Sequence, residues 1–389
     1  MELRDLARPT LHLTTATLIS AITGLIFWWA ASRFYSAGDI GTASAVISFL
    51  NLAFAVSTLG LNVGLIRFYG EFNGRGAGTT LIIMTALSLV LTGVYGILNP
   101  GKALGREPSF FGLLLATAAA GALYNVLGYL SVASGKTRTY VEMSLAYGLR
   151  VIPVPLMRSL GAPGLLGSFG FGLVLGLSHG WRKLRSHIVP CLDREFLRAS
   201  FGVSLSNYIG NIVNLLPVYL MPTIILVELG REWTGYYYVG FTLGNIILVP
   251  ITALSTILLR EERTGQKFRE ALLLILIYWG ASVVGIWLFG NYALLLFGEG
   301  YTRAMDMLKA VALGIGPAGV TYVGLAKLTV EKKPVYISIL NVLRGGLFLL
   351  IGYLLLGRYG IAGVGMGWSL AHTATGLGIV VLWKKPKSF

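Results

Sequence analysis

The sequence predicts an all-α polytopic membrane protein, with about twelve transmembrane helices in two six-helix lobes related by a parallel internal repeat. Three observations lead there. The chain carries 55% hydrophobic and only 12% charged residues, its mean hydropathy is +0.74, and its apolar runs recur at lengths that cross a bilayer. A soluble domain has about 25% charged residues, so this chain of 389 residues lacks half of the usual polar coat. It suits a surface that faces lipid. Glycine, at 51 residues, is abundant as in helices that pack closely within membranes.

Each element follows from its run of residues. The first, expected over Leu11–Ala31, follows Arg4 and Arg8 and extends through Trp28 and Trp29. That exceeds the apolar region of about 7–15 residues in a cleavable signal, so it reads as an uncleaved first helix. The next five spans are expected at Gly41–Leu65, Thr80–Leu98, Phe110–Ala133, Tyr140–Met157 and Pro163–Leu177. The second set is expected at Phe201–Val227, Gly235–Leu259, Ala271–Phe289, Ala304–Leu325, Tyr336–Leu356 and Ile361–Trp383. Asp306 and Lys309 lie near the start of the tenth span and make it the weakest by composition.

Orientation follows from the basic residues. With a cytoplasmic N-terminus, one side and the two termini collect 21 of them, and the other side holds eight: Arg33, Lys102, Arg106, Arg158, Arg231, Arg303, Lys309 and Arg358. The positive-inside rule then puts both termini in the cytoplasm, in a multi-pass protein of the cytoplasmic membrane. The net charge of +15 is spread over short loops between apolar runs, which excludes nucleic acid as a partner. The domain division expected is an N-terminal lobe of residues 1–180, a cytoplasmic connector of residues 181–200 lying on anionic headgroups, and a C-terminal lobe of residues 201–389. Cys191, the single cysteine, falls in the connector, is expected to be reduced, and excludes a disulfide framework or a cysteine metal cluster.

The halves resemble each other. Gly41 to Arg67 and Gly235 to Arg260 span similar intervals. Lys136, Tyr140 and Arg150, followed by Gly161-Ala162-Pro163-Gly164, correspond to Lys332, Tyr336 and Arg344, followed by Gly360-Ile361-Ala362-Gly363. Six spans per half keep both halves in one orientation, as parallel repeats.

Arg33-Phe34-Tyr35-Ser36-Ala37-Gly38-Asp39-Ile40-Gly41 resembles the first external loop of the polysaccharide and oligosaccharide-lipid exporters, a flippase family of the multidrug/oligosaccharidyl-lipid/polysaccharide superfamily. Thr58-Leu59-Gly60-Leu61-Asn62, Ile66-Arg67-Phe68, Leu296-Phe297-Gly298-Glu299-Gly300-Tyr301 and Tyr359-Gly360-Ile361-Ala362-Gly363 are similar to further segments of that family. The resemblance implies two lobes around a central cavity that alternates access, and a substrate of prenyl-diphosphate-linked sugar. Implied partners are that lipid-linked oligosaccharide, membrane lipids and other polysaccharide-assembly proteins; no cofactor is implied.

The candidate site comes from polar residues inside the spans. An arginine at mid-helix costs about 2.5–3.5 kcal/mol on insertion scales, so Arg150 and Arg344 each require a reason. One reading is a cationic wall whose guanidinium forks bind a diphosphate; the other is snorkelling or a structural hydrogen bond. Arg67, at a helix end beside Phe68, reads as an interfacial anchor or as part of the same site. Asn207, Asn211 and Asn214 share one helix face, where they bind sugar hydroxyls or join helices. Asn125, Asn245 and Asn341 stand alone and read as structural, as does His372. The 16 acidic residues lie in loops or near helix ends, which counts against a cation-binding multidrug exporter of the same fold, the main alternative. No HExxH, nucleophile elbow or nucleotide-loop lysine occurs, so an intramembrane glycosyl-transferring enzyme has little support. The glycines from Gly164 to Gly176 read as close helix packing.

Overall fold

The computed structural model describes residues 3–103, 108–258 and 265–384, with side chains outside 3–8, 203–207, 265–267 and 384. Among these the fold is all helical. The elements are α1 (Leu3–Phe34), α2 (Ala37–Ser57), α3 (Leu61–Arg67), α4 (Tyr69–Leu98), α5 (Pro108–Ala133), α6 (Thr137–Gly148), α7 (Ala162–Leu184), α8 (Arg194–Glu228), α9 (Arg231–Leu258), α10 (Gly265–Leu295), α11 (Met305–Val330) and α12 (Pro334–Lys384). Two compact units divide the chain, Met1–Tyr208 and Ile209–Phe389. In the first, α5 packs on α4 and α7, and α6 on α1 and α7; in the second, α11 packs on α9, α10 and α12. Large apolar side chains point outward along α10, where Leu273, Ile277, Val284 and Leu288 are all exposed. That outward face suits hydrocarbon.

Ten helical stretches among the described residues are long and apolar enough to cross a membrane. One of them, Pro334–Trp383, has 50 residues. At 1.5 Å per residue it would reach about 75 Å, more than twice a hydrocarbon core. It is two crossings: Gly360, at φ 56° and ψ −146°, breaks α12 between them. The remaining expected crossing, Tyr140–Met157, is not a continuous helix. α6 ends at Gly148, a 3₁₀ turn covers Leu149–Val151, and irregular turns lead to Leu160. Pro153 and Pro155 supply no N–H, so the α-helical ladder cannot continue through them.

Two other expected boundaries are corrected. The helix predicted to run from Gly41 to Leu65 stops at Ser57, because Leu59 and Gly60 adopt φ 46° and 79°, and the separate helix α3 follows. The third crossing starts well before Thr80; α4 begins at Tyr69 and breaks at Asn73, with φ 46° and ψ −130°. Arg260, which closed the second Gly-to-Arg interval, lies outside the described residues.

The repeat is visible in the backbone itself. Gly161 has φ 59° and ψ −139°, and its counterpart Gly360 has φ 56° and ψ −146°, a region that only glycine occupies readily. Three residues later the correspondence holds again. A Cβ on Gly164 would overlap the Met157 carbonyl oxygen, and one on Gly363 would overlap that of Leu355.

The connector is docked rather than loose. The Val189 N–H donates to the Gly74 carbonyl at 2.9 Å. Thr79 Oγ1 donates to the Cys191 carbonyl at 3.0 Å and accepts from the Asp193 N–H at 2.9 Å. Arg75 pairs with Asp193 at 3.2 Å, and the other Asp193 oxygen caps α8 by accepting from the Glu195 and Phe196 N–H groups. Gly74, Gly76 and Gly78 make the approach possible. A Cβ at Gly78 would overlap the Val189 carbonyl, and one at Gly76 would stand 3.0 Å from the Phe196 ring.

Gly78→Val therefore has no room in the docked arrangement. Overpacking of this kind costs about 1–3 kcal/mol. The expected outcome is a lowered melting temperature together with faster maleimide labelling of Cys191, the half-buried and only thiol. Labelling kinetics on the detergent-solubilised protein check it.

Candidate functional site

Arg150 and Arg344, expected to be equivalent in the repeat, are both buried, at 5% and 7% exposure. Their surroundings differ. Arg150 sits where α6 has given way to the 3₁₀ turn, and its guanidinium carbon lies 3.8 Å from the ring centroid of Tyr147, 5.5 Å from that of Phe27 and 5.9 Å from that of Phe169. Three ring faces thus meet one cation, each a favourable electrostatic contact when desolvated. Two glycines leave the space. A Cβ on Gly24 would stand 3.2 Å from Arg150 Nη2, and one on Gly172 would stand 2.7 Å from Arg150 Cβ.

Arg344 lies in the first arm of α12, ten residues beyond Pro334, or about 15 Å along a helix. Its Nε donates to Asn214 Oδ1 at 2.9 Å and its Nη2 donates to Asn341 Oδ1 at 3.1 Å. The guanidinium carbon lies 5.4 Å from the Tyr322 ring centroid. Nη1 is buried with no hydrogen-bond partner among the described residues. Beyond Tyr322, at 6.0 Å between centroids, lies the His372 ring, itself 4.4 Å from Trp368 and 4% exposed.

The sequence brings α8 to this point through a proline. Pro217 has no N–H to offer the carbonyl of Val213 four residues earlier. Gly345 packs directly against that carbonyl, where a Cβ would overlap it. The absent Cβ lets α12 approach α8 closely enough for Arg344 to reach Asn214.

Of the residues expected to form the site, Arg344 and Asn214 are brought together. Asn211 is exposed, with no hydrogen bond among the described residues, and the side chain of Asn207 lies outside them. Arg67 is exposed at the end of α3, with its guanidinium carbon 5.5 Å from the Phe68 ring centroid. Arg150 and Arg67 belong to the first unit, Arg344, Asn211 and Asn214 to the second. Tyr322 is the neighbour that sequence reasoning missed, and Asn341 and His372, which it reads as structural, belong to the same cluster. Asn341 stands at i−3 from Arg344, where side chains on a helix meet, so that spacing was the available signal.

Among the described residues, many acidic side chains sit at helix starts or in surface ion pairs. Asp39, Glu71, Glu195, Glu232 and Asp306 lie in first turns of helices. Glu142 is taken by Lys183, by Arg138 at 3.3 Å and by His179 at 3.0 Å. No cluster of metal-ligating residues occurs among the described residues.

The segments that carried the family resemblance have structural uses. Ser36 and Asp39 form a capping box at the start of α2, and the Tyr35 hydroxyl donates to the Val154 carbonyl at 2.9 Å. Gly298 adopts φ 127°, and Tyr301 packs its ring 5.5 Å from Tyr236 and 6.3 Å from Phe297.

These features define a polytopic α-helical membrane protein of two repeated units, each with an arginine buried in its interior. Solved structures give that architecture its place. An inward-facing multidrug resistance MATE family transporter of the MOP superfamily matches over 98% of this chain and 100% of its own, with a TM-score of 0.72 and 15% identity. The lipid II flippase MurJ, in an inward closed conformation, matches over 96% of this chain and 87% of its own, with a TM-score of 0.77 and 15% identity. A MOP superfamily transporter from Pyrococcus furiosus, described by a reverse polarity of its binding pocket, matches over 97% and 94%, with a TM-score of 0.62 and 14% identity. No family sequence model and no curated protein sequence matches the chain. At 14–15% identity the chain shares the fold of these transporters.

Asn214→Ala removes a hydrogen bond to a buried charge, an interaction worth about 1.5–3 kcal/mol. The expected outcome is a clear fall in thermal stability for that variant. Asn211→Ala, at an exposed position, is expected to stay within about 0.5 kcal/mol of the parent. Melting curves of the two proteins in one detergent decide it.

Proposed function

We propose that this protein is a transporter, not an enzyme, and that it moves a lipid-linked oligosaccharide on a prenyl diphosphate across the cytoplasmic membrane by alternating access. The observation that carries the reading is electrostatic. Among the described residues, the buried ionised groups within the spans are guanidiniums, Arg150 and Arg344; the buried carboxylate of Asp193 lies in the connector, paired with Arg75, and other carboxylates lie near helix ends or in surface ion networks. A site for cationic drugs or for coupling protons commonly needs a carboxylate inside the membrane. A diphosphate headgroup needs the opposite sign, and guanidinium forks match its oxygens. The full-length likeness to a lipid II flippase and to a transporter with a reversed pocket polarity supports the same direction.

In this reading Arg344, held by Asn214, engages the diphosphate, Asn207 and Asn211 face sugar hydroxyls, and Arg150 and Arg67 give the first unit its positive charge toward an anionic headgroup. Both termini lie in the cytoplasm, membrane lipids surround the spans, and polysaccharide-assembly proteins supply and receive the cargo. No cofactor enters. The multidrug-type exporter is the second reading, favoured by the MATE structures that share the fold.

The test is transbilayer movement of a fluorescent prenyl-diphosphate oligosaccharide in proteoliposomes, run beside a cationic dye. Movement of the lipid, reduced about tenfold or more in Arg344→Leu, is expected from the loss of a charge-assisted bond worth about 1.5–3 kcal/mol. Movement of the dye alone would replace the flippase reading with the multidrug one.

A further inference from the structure

Arg344 is held in place without being neutralised. A buried guanidinium is ordinarily matched by a carboxylate, which supplies geometry and opposite charge together. Here the two acceptors are the amide oxygens of Asn214, from α8, and Asn341, one turn earlier on α12. An amide has nearly the shape of a carboxylate and accepts the same hydrogen bond, but it carries no charge. The ring of Tyr322 covers the guanidinium with a quadrupole, again without net charge. Lys309–Asp306 and Lys333–Glu331, ion pairs of the second unit, lie at ends of α11 or beyond. A full positive charge therefore stays inside the unit.

That charge also has a direction. With Nε and Nη2 committed to the two amides, the guanidinium cannot rotate about its stem without breaking both bonds. The remaining nitrogen, Nη1, is buried and has no acceptor among the described residues. Orphaned buried donors are rare in native proteins and call for an explanation. An oxyanion is one that answers the missing acceptor and the missing counter-charge at once.

We propose that Asn214 and Asn341 are positioning residues for the anionic group of the cargo: they orient Arg344 so that Nη1 is presented to a phosphate oxygen, and as neutral amides they keep the site cationic. The proposal rests on the anionic-cargo reading above and adds to it the device that selects the sign. Nη1 is enclosed in this conformation, so a phosphate group reaches it as the surrounding side chains open. Asn341 has a specific duty in this account, and Asn214 serves Arg344 in place of a sugar.

The discriminating substitutions are Asn341→Asp and Asn214→Asp, which preserve shape and add one negative charge beside Arg344. A purely structural role predicts that such variants gain a buried ion pair and keep transport. The proposal predicts that they fold, melt at or above the parent temperature, and lose the anion.

The measurement is the thermal shift of the full-length, detergent-solubilised protein with inorganic pyrophosphate, followed by transport of the labelled lipid. The expected result is a pyrophosphate-dependent shift in the parent and an affinity weakened about tenfold or more in both Asp variants, with KM for the lipid raised more than kcat is lowered. Asn341→Ser keeps a neutral acceptor and is expected to stay within about threefold of the parent. Parent-like pyrophosphate binding in the Asp variants would overturn the cradle and leave the anionic cargo standing. Equal losses in Asn341→Ser and Asn341→Asp would mark a packing role and overturn it too. A parent protein that ignores both pyrophosphate and the labelled lipid would remove the anionic cargo itself, and the cradle with it.

Discussion

In hydrocarbon there is no water to complete a hydrogen bond, so each polar group within the spans must find its partner inside the protein. Much of this structure follows from that constraint. Threonine and serine hydroxyls turn back onto carbonyls of the preceding turn, as Thr80 does to Gly76 at 2.9 Å and Thr375 to Ala371 at 2.8 Å. Ser88 donates to Ser57, which in turn donates to Ala53. Where prolines interrupt the ladder after α6, the chain packs on α7 and α1 along one side, and the Val154 carbonyl within it receives the Tyr35 hydroxyl.

The same constraint separates what the residues announced from what they concealed. The class of fold was legible because hydrocarbon length imposes runs of about 20 apolar residues, and most expected spans correspond to a helix or to half of one. The repeat was legible because a glycine at positive φ admits few substitutes, so Gly161 and Gly360 persist as landmarks. The interruptions were harder. Leu59 and Asn73 adopt φ 46° although neither is glycine, and an apolar run reads the same whether its backbone is continuous or broken. Pro153 and Pro155 were visible in the sequence, yet in membrane helices proline often only kinks.

The candidate site was legible in its charges and illegible in its partners. Arg150 and Arg344 stood out because nothing apolar explains an arginine in a span. Which groups would surround them depended on packing across helices far apart in sequence. Phe27 and Phe169 reach Arg150 from α1 and α7, and Asn214 reaches Arg344 from α8, across 130 residues of chain. The three asparagines on one face of α8 looked like a set. Asn214 is tied to an arginine, and Asn211 is exposed.

The matched glycine corners and the unmatched arginines together set what an exchange between the halves would do. Gly161 and Gly360 turn the backbone alike, so either corner would serve in the other's place. The arginines differ, with aromatic rings around Arg150 and amides holding Arg344. Swapping the arginine-bearing segments would keep the corners and strip each guanidinium of its partners, so the two halves are not interchangeable parts.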